Sequence, residues 1–167
     1  MLRSSGVDMV EATRTIRSEN AEETQRIAAT LARLVLPGTV IALDGDLGAG
    51  KTHFVQGFAQ GLGVKSAVTS PTFNVMCEYT EGRVPLYHFD LYRLDDPREL
   101  EDIAFYDLVE ADGVSCIEWA RKFADEIPSS ALWVSIETNA DGSRCLCVSA
   151  SESQSHALIA EWIAQVA

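Results

Sequence analysis

The sequence predicts an α/β fold: a central mixed, largely parallel sheet with helices packed against it in three layers. Three observations carry that expectation. The runs Thr39 to Leu43 and Gly113 to Ile117 are short, apolar and rich in β-branched residues, as strands buried on both faces are. Segments with apolar residues at helical spacing alternate with such runs. A glycine-rich stretch, Gly45 to Gly50, joins the first run directly to a helix-like one. With 167 residues, 47% of them apolar, the chain is long enough for one core and short for two, so a single domain spanning 1–167 is expected.

Taken in order, residues 1 to 11 show no clear period and read as a loose N-terminal arm. A short strand is expected at Ala12 to Arg17. Asn20 followed by Glu23 resembles a capping box, and Thr24, Ile27, Ala28, Leu31, Leu34 and Val35 then share one helical face, up to the stop at Pro37-Gly38. After the strand Thr39 to Leu43 and the glycine-rich loop, a second helix starts at Thr52. It carries Phe54, Phe58 and Leu62 at four-residue spacing and closes at Gly61 to Gly63. Beyond Ser70-Pro71, the runs Phe73 to Thr80 and Val84 to Leu91 flank Glu81-Gly82 as an antiparallel hairpin. Leu94 to Ala111 is charged and helix-prone. The strand Gly113 to Ile117 ends on Glu118-Trp119, and a short helical stretch follows it to Pro128. Strands Ala131 to Thr138 and Arg144 to Ser149 come next, and the tail from about residue 150 places Leu158, Ile159, Trp162, Ile163 and Val166 on one face of a last helix.

Charge narrows the function classes. There are 25 acidic and 13 basic residues, and a net charge of −12 repels a polyanion, so tight nucleic-acid binding by this chain alone is not expected. No run of about 18 apolar residues exists, and the N-terminus lacks the pattern of a secretory signal. A soluble, unexported, cytoplasmic protein with no membrane contact is expected. In that setting Cys77, Cys116, Cys145 and Cys147 read as buried, reduced thiols; Cys145-x-Cys147 without a second pair offers a metal too few ligands.

Chemistry concentrates at Gly45-Asp46-Leu47-Gly48-Ala49-Gly50-Lys51-Thr52, which fits G-x-x-x-x-G-K-[ST], the phosphate-binding P-loop. Its glycines let consecutive backbone N–H groups converge on phosphate oxygens, and the helix that follows turns its positive end towards them. Lys51 would neutralise the β- and γ-phosphates, and the Thr52 hydroxyl would supply one oxygen to Mg2+. Neither the Asp-x-x-Gly switch nor the Asn-Lys-x-Asp base-reading motif of GTPases occurs, which favours ATP. An acid at the end of a neighbouring strand is also required. Asp90 and Glu118 both qualify, and spacing does not rank them.

Together with Ser70-Pro71-Thr72-Phe73, His88-Phe89-Asp90-Leu91-Tyr92-Arg93-Leu94 and Glu118-Trp119, this loop resembles the bacterial tRNA threonylcarbamoyladenosine biosynthesis protein TsaE family. The resemblance covers roughly Ser18 to Ser149 and leaves the C-terminal helix, about 150–167, outside it. It implies a P-loop NTPase-like fold and a Mg-dependent ATPase supporting TsaD and TsaB, which place threonylcarbamoyl on adenosine 37 of tRNA. Contact with tRNA would then come only through the complex. By the same resemblance Thr24 would help Asp46, Leu47, Gly48, Ala49, Gly50, Lys51 and Thr52 hold the nucleotide, and Ser70 to Phe73 would form a switch-like segment. Asp90 would position or activate water, and Glu118 would join Thr52 at Mg2+. The chain departs from the family in Ala120, where proline is common, and in His53, where a hydroxyl residue is common.

Plainer readings stand beside these. Ser70-Pro71 also suits a simple turn into a strand, and His88 and Trp119 suit a packed core. Arg93 is a natural partner for Asp95 or Asp96, and Arg144 receives no site. Two other functions compete: a small-molecule kinase, although Arg93, Arg98, Arg121 and Arg144 are too dispersed to form an obvious lid, and a nucleotide-dependent binding module with little hydrolysis.

Overall fold

A computed structural model describes residues 12–166 of the chain, so the N-terminal arm expected at 1–11 lies outside the described residues. Seven strands form one sheet. In chain order they are β1 (Ala12–Ser18), β2 (Val40–Asp44), β3 (Met76–Tyr79), β4 (Leu86–Asp90), β5 (Val114–Glu118), β6 (Leu132–Thr138) and β7 (Arg144–Ala150). Their spatial order is β1-β7-β6-β2-β5-β4-β3. The central four, β6, β2, β5 and β4, run parallel, while β7 pairs antiparallel with β6, β1 antiparallel with β7, and β3 antiparallel with β4. The fold is therefore α/β with a mixed sheet, as the sequence indicates.

Helix α1 (Ala21–Ala32) begins as its sequence requires: the Asn20 side chain accepts from the Glu23 N–H at 2.8 Å, and the Glu23 carboxylate accepts from the Glu19 N–H at 2.8 Å. Helices α1, α2 (Lys51–Leu62) and α5 (Ser153–Val166) cover one face of the sheet. Ile27, Leu31, Phe54, Phe58, Leu43, Val134, Ile136 and Trp162 form the core there. The tail helix is anchored in that core by Trp162, whose ring edge meets Phe54 and whose indole N–H donates to the Ile27 carbonyl at 2.9 Å. A second core on the opposite face packs Val40, Ala42, Tyr87 and Phe89 under Phe105, Phe123 and Ile127.

The helix-prone segment Leu94 to Ala111 does not form one helix. It breaks into α3 (Glu99–Asp102) and α4 (Phe105–Leu108), because Ala104 takes a left-handed backbone conformation, φ 59°, that ends one turn and starts the next. That break turns Phe105 inward against Phe89. Of the four free cysteines only Cys116 is buried; Cys77, Cys145 and Cys147 are half-buried, because they lie on strands towards the edges of the sheet. No helix among the described residues is long and apolar enough to cross a membrane.

The sheet matters for function through parity. Along β4, Leu86, His88 and Asp90 alternate with Tyr87 and Phe89; along β5, Val114, Cys116 and Glu118 alternate with Ser115 and Ile117. Tyr87, Phe89 and Ile117 belong to the second core, while Leu86, Val114 and Cys116 belong to the first. His88, Asp90 and Glu118 are thereby placed on the α2 side, at the carboxyl ends of parallel strands where open α/β sheets bind ligands.

Candidate nucleotide-binding site

The loop 45–50 leaves the end of β2 and delivers the chain to the first turn of α2. Two glycines make that path possible. Gly45 has φ 142° and a Cβ there would sit 2.5 Å from the Ile136 carbonyl oxygen; Gly50 has φ 115° at the last position before the helix. No acidic side chain occupies the first turn of α2, so nothing within that turn offsets its positive end.

Lys51, only 5% exposed, is folded under this loop. Its ammonium donates to the carbonyls of Gly45 at 2.6 Å and Asp46 at 3.0 Å, and lies 4.3 Å from the centre of the Trp119 ring. Burial pushes its pKa below the usual lysine value, against the opposing pull of Glu118, Asp44, Asp90 and Asp46. Trp119 reaches Lys51 because it turns sharply off the end of β5, with φ 60° at a non-glycine residue.

The Thr52 hydroxyl, in the first turn of α2, stands 3.5 Å and 3.4 Å from the two oxygens of Glu118. These are two hard oxygen donors at the long limit of a hydrogen bond, facing the same space, which suits a small divalent cation. Among the described residues no cluster of three or more His, Cys, Asp or Glu makes a metal cage. The oxygens of Thr52 and Glu118 are of the type a magnesium ion would take, with phosphate and water supplying its other ligands.

Asp90 is differently engaged. One of its oxygens accepts from the hydroxyls of Ser70 at 2.8 Å and Thr72 at 2.9 Å, and the other from the Tyr92 N–H at 3.0 Å. It pins the segment 70–73 at the site, leaving Phe73 82% exposed. Arg93 does not pair with Asp95 or Asp96: its guanidinium lies 4.7 Å from the Phe73 ring centre, and Asp96 is taken by Arg98. The Tyr92 ring lies 4.9 Å from that of Trp119, so one aromatic and cationic rim runs from the segment to the loop.

Thr24 lies on the other side of the loop. It is buried, its hydroxyl is 2.7 Å from that of Ser18, and it lines a cavity of about 290 Å3 with Asn20, Gly50, His53 and Arg144. A second cavity, about 230 Å3, holds Leu47, Lys51, Thr52, Glu118 and Trp119. The expected residues thus gather around one loop, with Lys51, Thr52 and Glu118 in one cavity, Thr24 in the next, Asp46 and Leu47 exposed, and Ala49 buried beneath. Arg144, which sequence reading left without a site, belongs here. Its Nε donates to the Ala49 carbonyl at 2.8 Å and it also donates to the Gly142 carbonyl at 2.7 Å. The missed signal lies in the partners: both are backbone oxygens, which carry no side-chain signature.

Comparisons with known proteins converge on one family. The family model described as "Threonylcarbamoyl adenosine biosynthesis protein TsaE" matches residues 18–146. A Bacillus subtilis protein named tRNA threonylcarbamoyladenosine biosynthesis protein TsaE is 44% identical over 128 residues, 77% of this chain and 80% of the relative. The protein of the same name from Treponema pallidum is 41% identical over 131 residues, 78% of this chain and 96% of the relative. In three dimensions, a crystal structure of Bacillus subtilis YdiB superposes with a TM-score of 0.81 at 33% identity, covering 93% of this chain and 97% of that one.

Proposed function

The chain belongs to the threonylcarbamoyl adenosine biosynthesis protein TsaE family, and on that footing we propose that it is a Mg-dependent ATPase working in formation of the threonylcarbamoyladenosine of tRNA, in support of TsaD and TsaB. A single observation carries the ATPase half of the reading. A lysine, a threonine hydroxyl and a strand-end carboxylate converge under a glycine loop that opens onto a helix N-terminus.

In this reading the backbone N–H groups of Gly48 to Thr52 hold the β-phosphate, and Lys51 exchanges its two carbonyl partners for phosphate oxygens. Thr52 and Glu118 would hold magnesium, which when bound would offset charge on the β- and γ-phosphates. Thr24 and Arg144 line the cavity on the far side of the loop, where the nucleoside end of ATP has room. Asp90 holds the segment 70–73 until nucleotide arrives, and once those hydroxyls turn away its carboxylate can orient a water against the γ-phosphate. A partner that recognises the altered segment binds more tightly with ATP present, and linkage makes ATP bind more tightly with the partner present.

The test is reconstitution from purified components. Threonylcarbamoyl transfer to tRNA and ATP turnover are measured with TsaD and TsaB, with and without this chain. Transfer that is equally fast without the chain, or an absence of partner-stimulated turnover, refutes the proposal.

A further inference from the structure

His88 is spent on one contact. Its side chain is fully buried, and Nε2 lies 2.6 Å from Oε2 of Glu118, itself 3% exposed. The other ring nitrogen, Nδ1, has no hydrogen-bond partner among the described residues. A buried polar atom without a partner carries a cost, and a histidine serving only to fill the core is expected to satisfy both nitrogens or to give way to an apolar residue. Here one nitrogen is left bare while the other holds a carboxylate. Since an ionised carboxylate only accepts, Nε2 carries the proton and donates it.

The sheet explains why this contact forms. In the β4–β5 register His88 faces Cys116 and Asp90 faces Glu118, so His88 lies one pair behind Glu118 on the same face. It reaches the carboxylate from inside the protein, while Thr52 meets it from the loop side at 3.4 Å or more. The close donor on Glu118 is therefore His88.

We infer that His88 is a positioning residue for the magnesium site: by holding Oε2 of Glu118 it keeps that carboxylate turned towards Thr52. The inference rests on the Mg-ATP reading above. Such outer partners of metal ligands fix the ligand's orientation, and losing one weakens metal binding about 10- to 100-fold.

The experiment uses Mn2+ in place of Mg2+ and counts free Mn2+ by electron paramagnetic resonance, with the full chain and a non-hydrolysable ATP analogue. His88→Leu should weaken Mn2+ binding to the protein–nucleotide complex about 10- to 100-fold, while nucleotide affinity in EDTA stays within about twofold. His88→Gln, whose amide reaches the Nε2 position, should restore most of the loss. Should His88→Leu fail to fold, His88→Gln is compared with His88→Asn, whose shorter amide falls short of Glu118 and should lose about tenfold relative to Gln. Unchanged Mn2+ affinity in His88→Leu, or equal affinity in the Gln and Asn variants, overturns the inference. Failure of the wild-type chain to bind Mn2+ with nucleotide at all would instead sink the Mg-ATP reading itself.

Discussion

Replacing Asp90 by alanine should release the segment 70–73 without unfolding the sheet. Two hydroxyl donors, Ser70 at 2.8 Å and Thr72 at 2.9 Å, converge on one oxygen of this buried carboxylate. A hydrogen bond to a charged group is worth about 1.5–3 kcal/mol when both sides are sheltered, but Ser70 is exposed and water can replace its partner, so about 1 kcal/mol each is the better figure. The sum of about 2 kcal/mol corresponds to roughly a 30-fold rise in the open population of the segment. The opening is bounded on the strand side, where the Asp90 N–H still donates to the Val75 carbonyl at 2.7 Å. Chymotrypsin reads this directly. Phe73 is 82% exposed, and cleavage after it tracks the open population when reclosing is faster than cutting. Cleavage there should rise about 30-fold, while cleavage at Tyr106, 48% exposed and outside the segment, stays unchanged as an internal control. Asp90→Asn keeps one acceptor oxygen and should give an intermediate rise. Equal cleavage after Phe73 in all three proteins would show that Asp90 does not hold the segment and would remove the structural basis of the switch.

Lys51→Ala removes the ammonium that faces the loop and should lower ATP affinity and partner-stimulated turnover together; loss of turnover with full ATP affinity, measured by calorimetry, would contradict its phosphate role. Glu118→Gln keeps the shape and removes the charge, so the gain in nucleotide affinity on adding Mg2+ should shrink; an undiminished gain would move the metal role to another acid. Arg144→Leu deletes a donor to the Ala49 carbonyl of the loop and another to the Gly142 carbonyl of the turn before β7, and nucleotide affinity should fall about tenfold, near 1.4 kcal/mol, with little change in melting temperature. tRNA should not bind the isolated chain in filter assays at physiological salt, given its net charge of −12; micromolar, salt-sensitive binding would reveal a basic surface that this charge conceals.

What the sequence made legible follows from how local each determinant is. The glycines of the loop prescribe its backbone, and the β-branched run before it and the helical spacing after it prescribe its neighbours, so the strand–loop–helix course of the chain through Gly45–Thr52 was readable. The tail helix was readable from Leu158 to Val166 because its apolar face is continuous. By contrast, the break at Ala104 depends on Phe105 finding Phe89 across the second core, and the place of Arg93 depends on the segment 70–73 folding back over it. Nothing near either residue in the chain announces such a partner. The same holds for His88, which alternates with core residues on its strand but meets Glu118 through a register that only the assembled sheet defines.

The two acids which spacing left equal differ in their hydrogen bonds. Asp90 and Glu118 are direct partners across β4 and β5, both 2% exposed, so burial does not distinguish them. Their hydrogen bonds do. Both oxygens of Asp90 are engaged by donors within 3.0 Å, so a cation there would compete with existing hydrogen bonds. Glu118 is held on one oxygen by His88, while the other has only a 3.5 Å contact with Thr52, itself a hydroxyl able to turn a lone pair to a metal. In the proposed arrangement a divalent cation would meet fewer close donors at Glu118 than at Asp90, where it would compete with the anchor of 70–73. The division of labour proposed here, metal at Glu118 and segment at Asp90, therefore rests on which oxygens are free. A nucleotide reaching both acids at once would couple metal binding at one to release of the segment at the other.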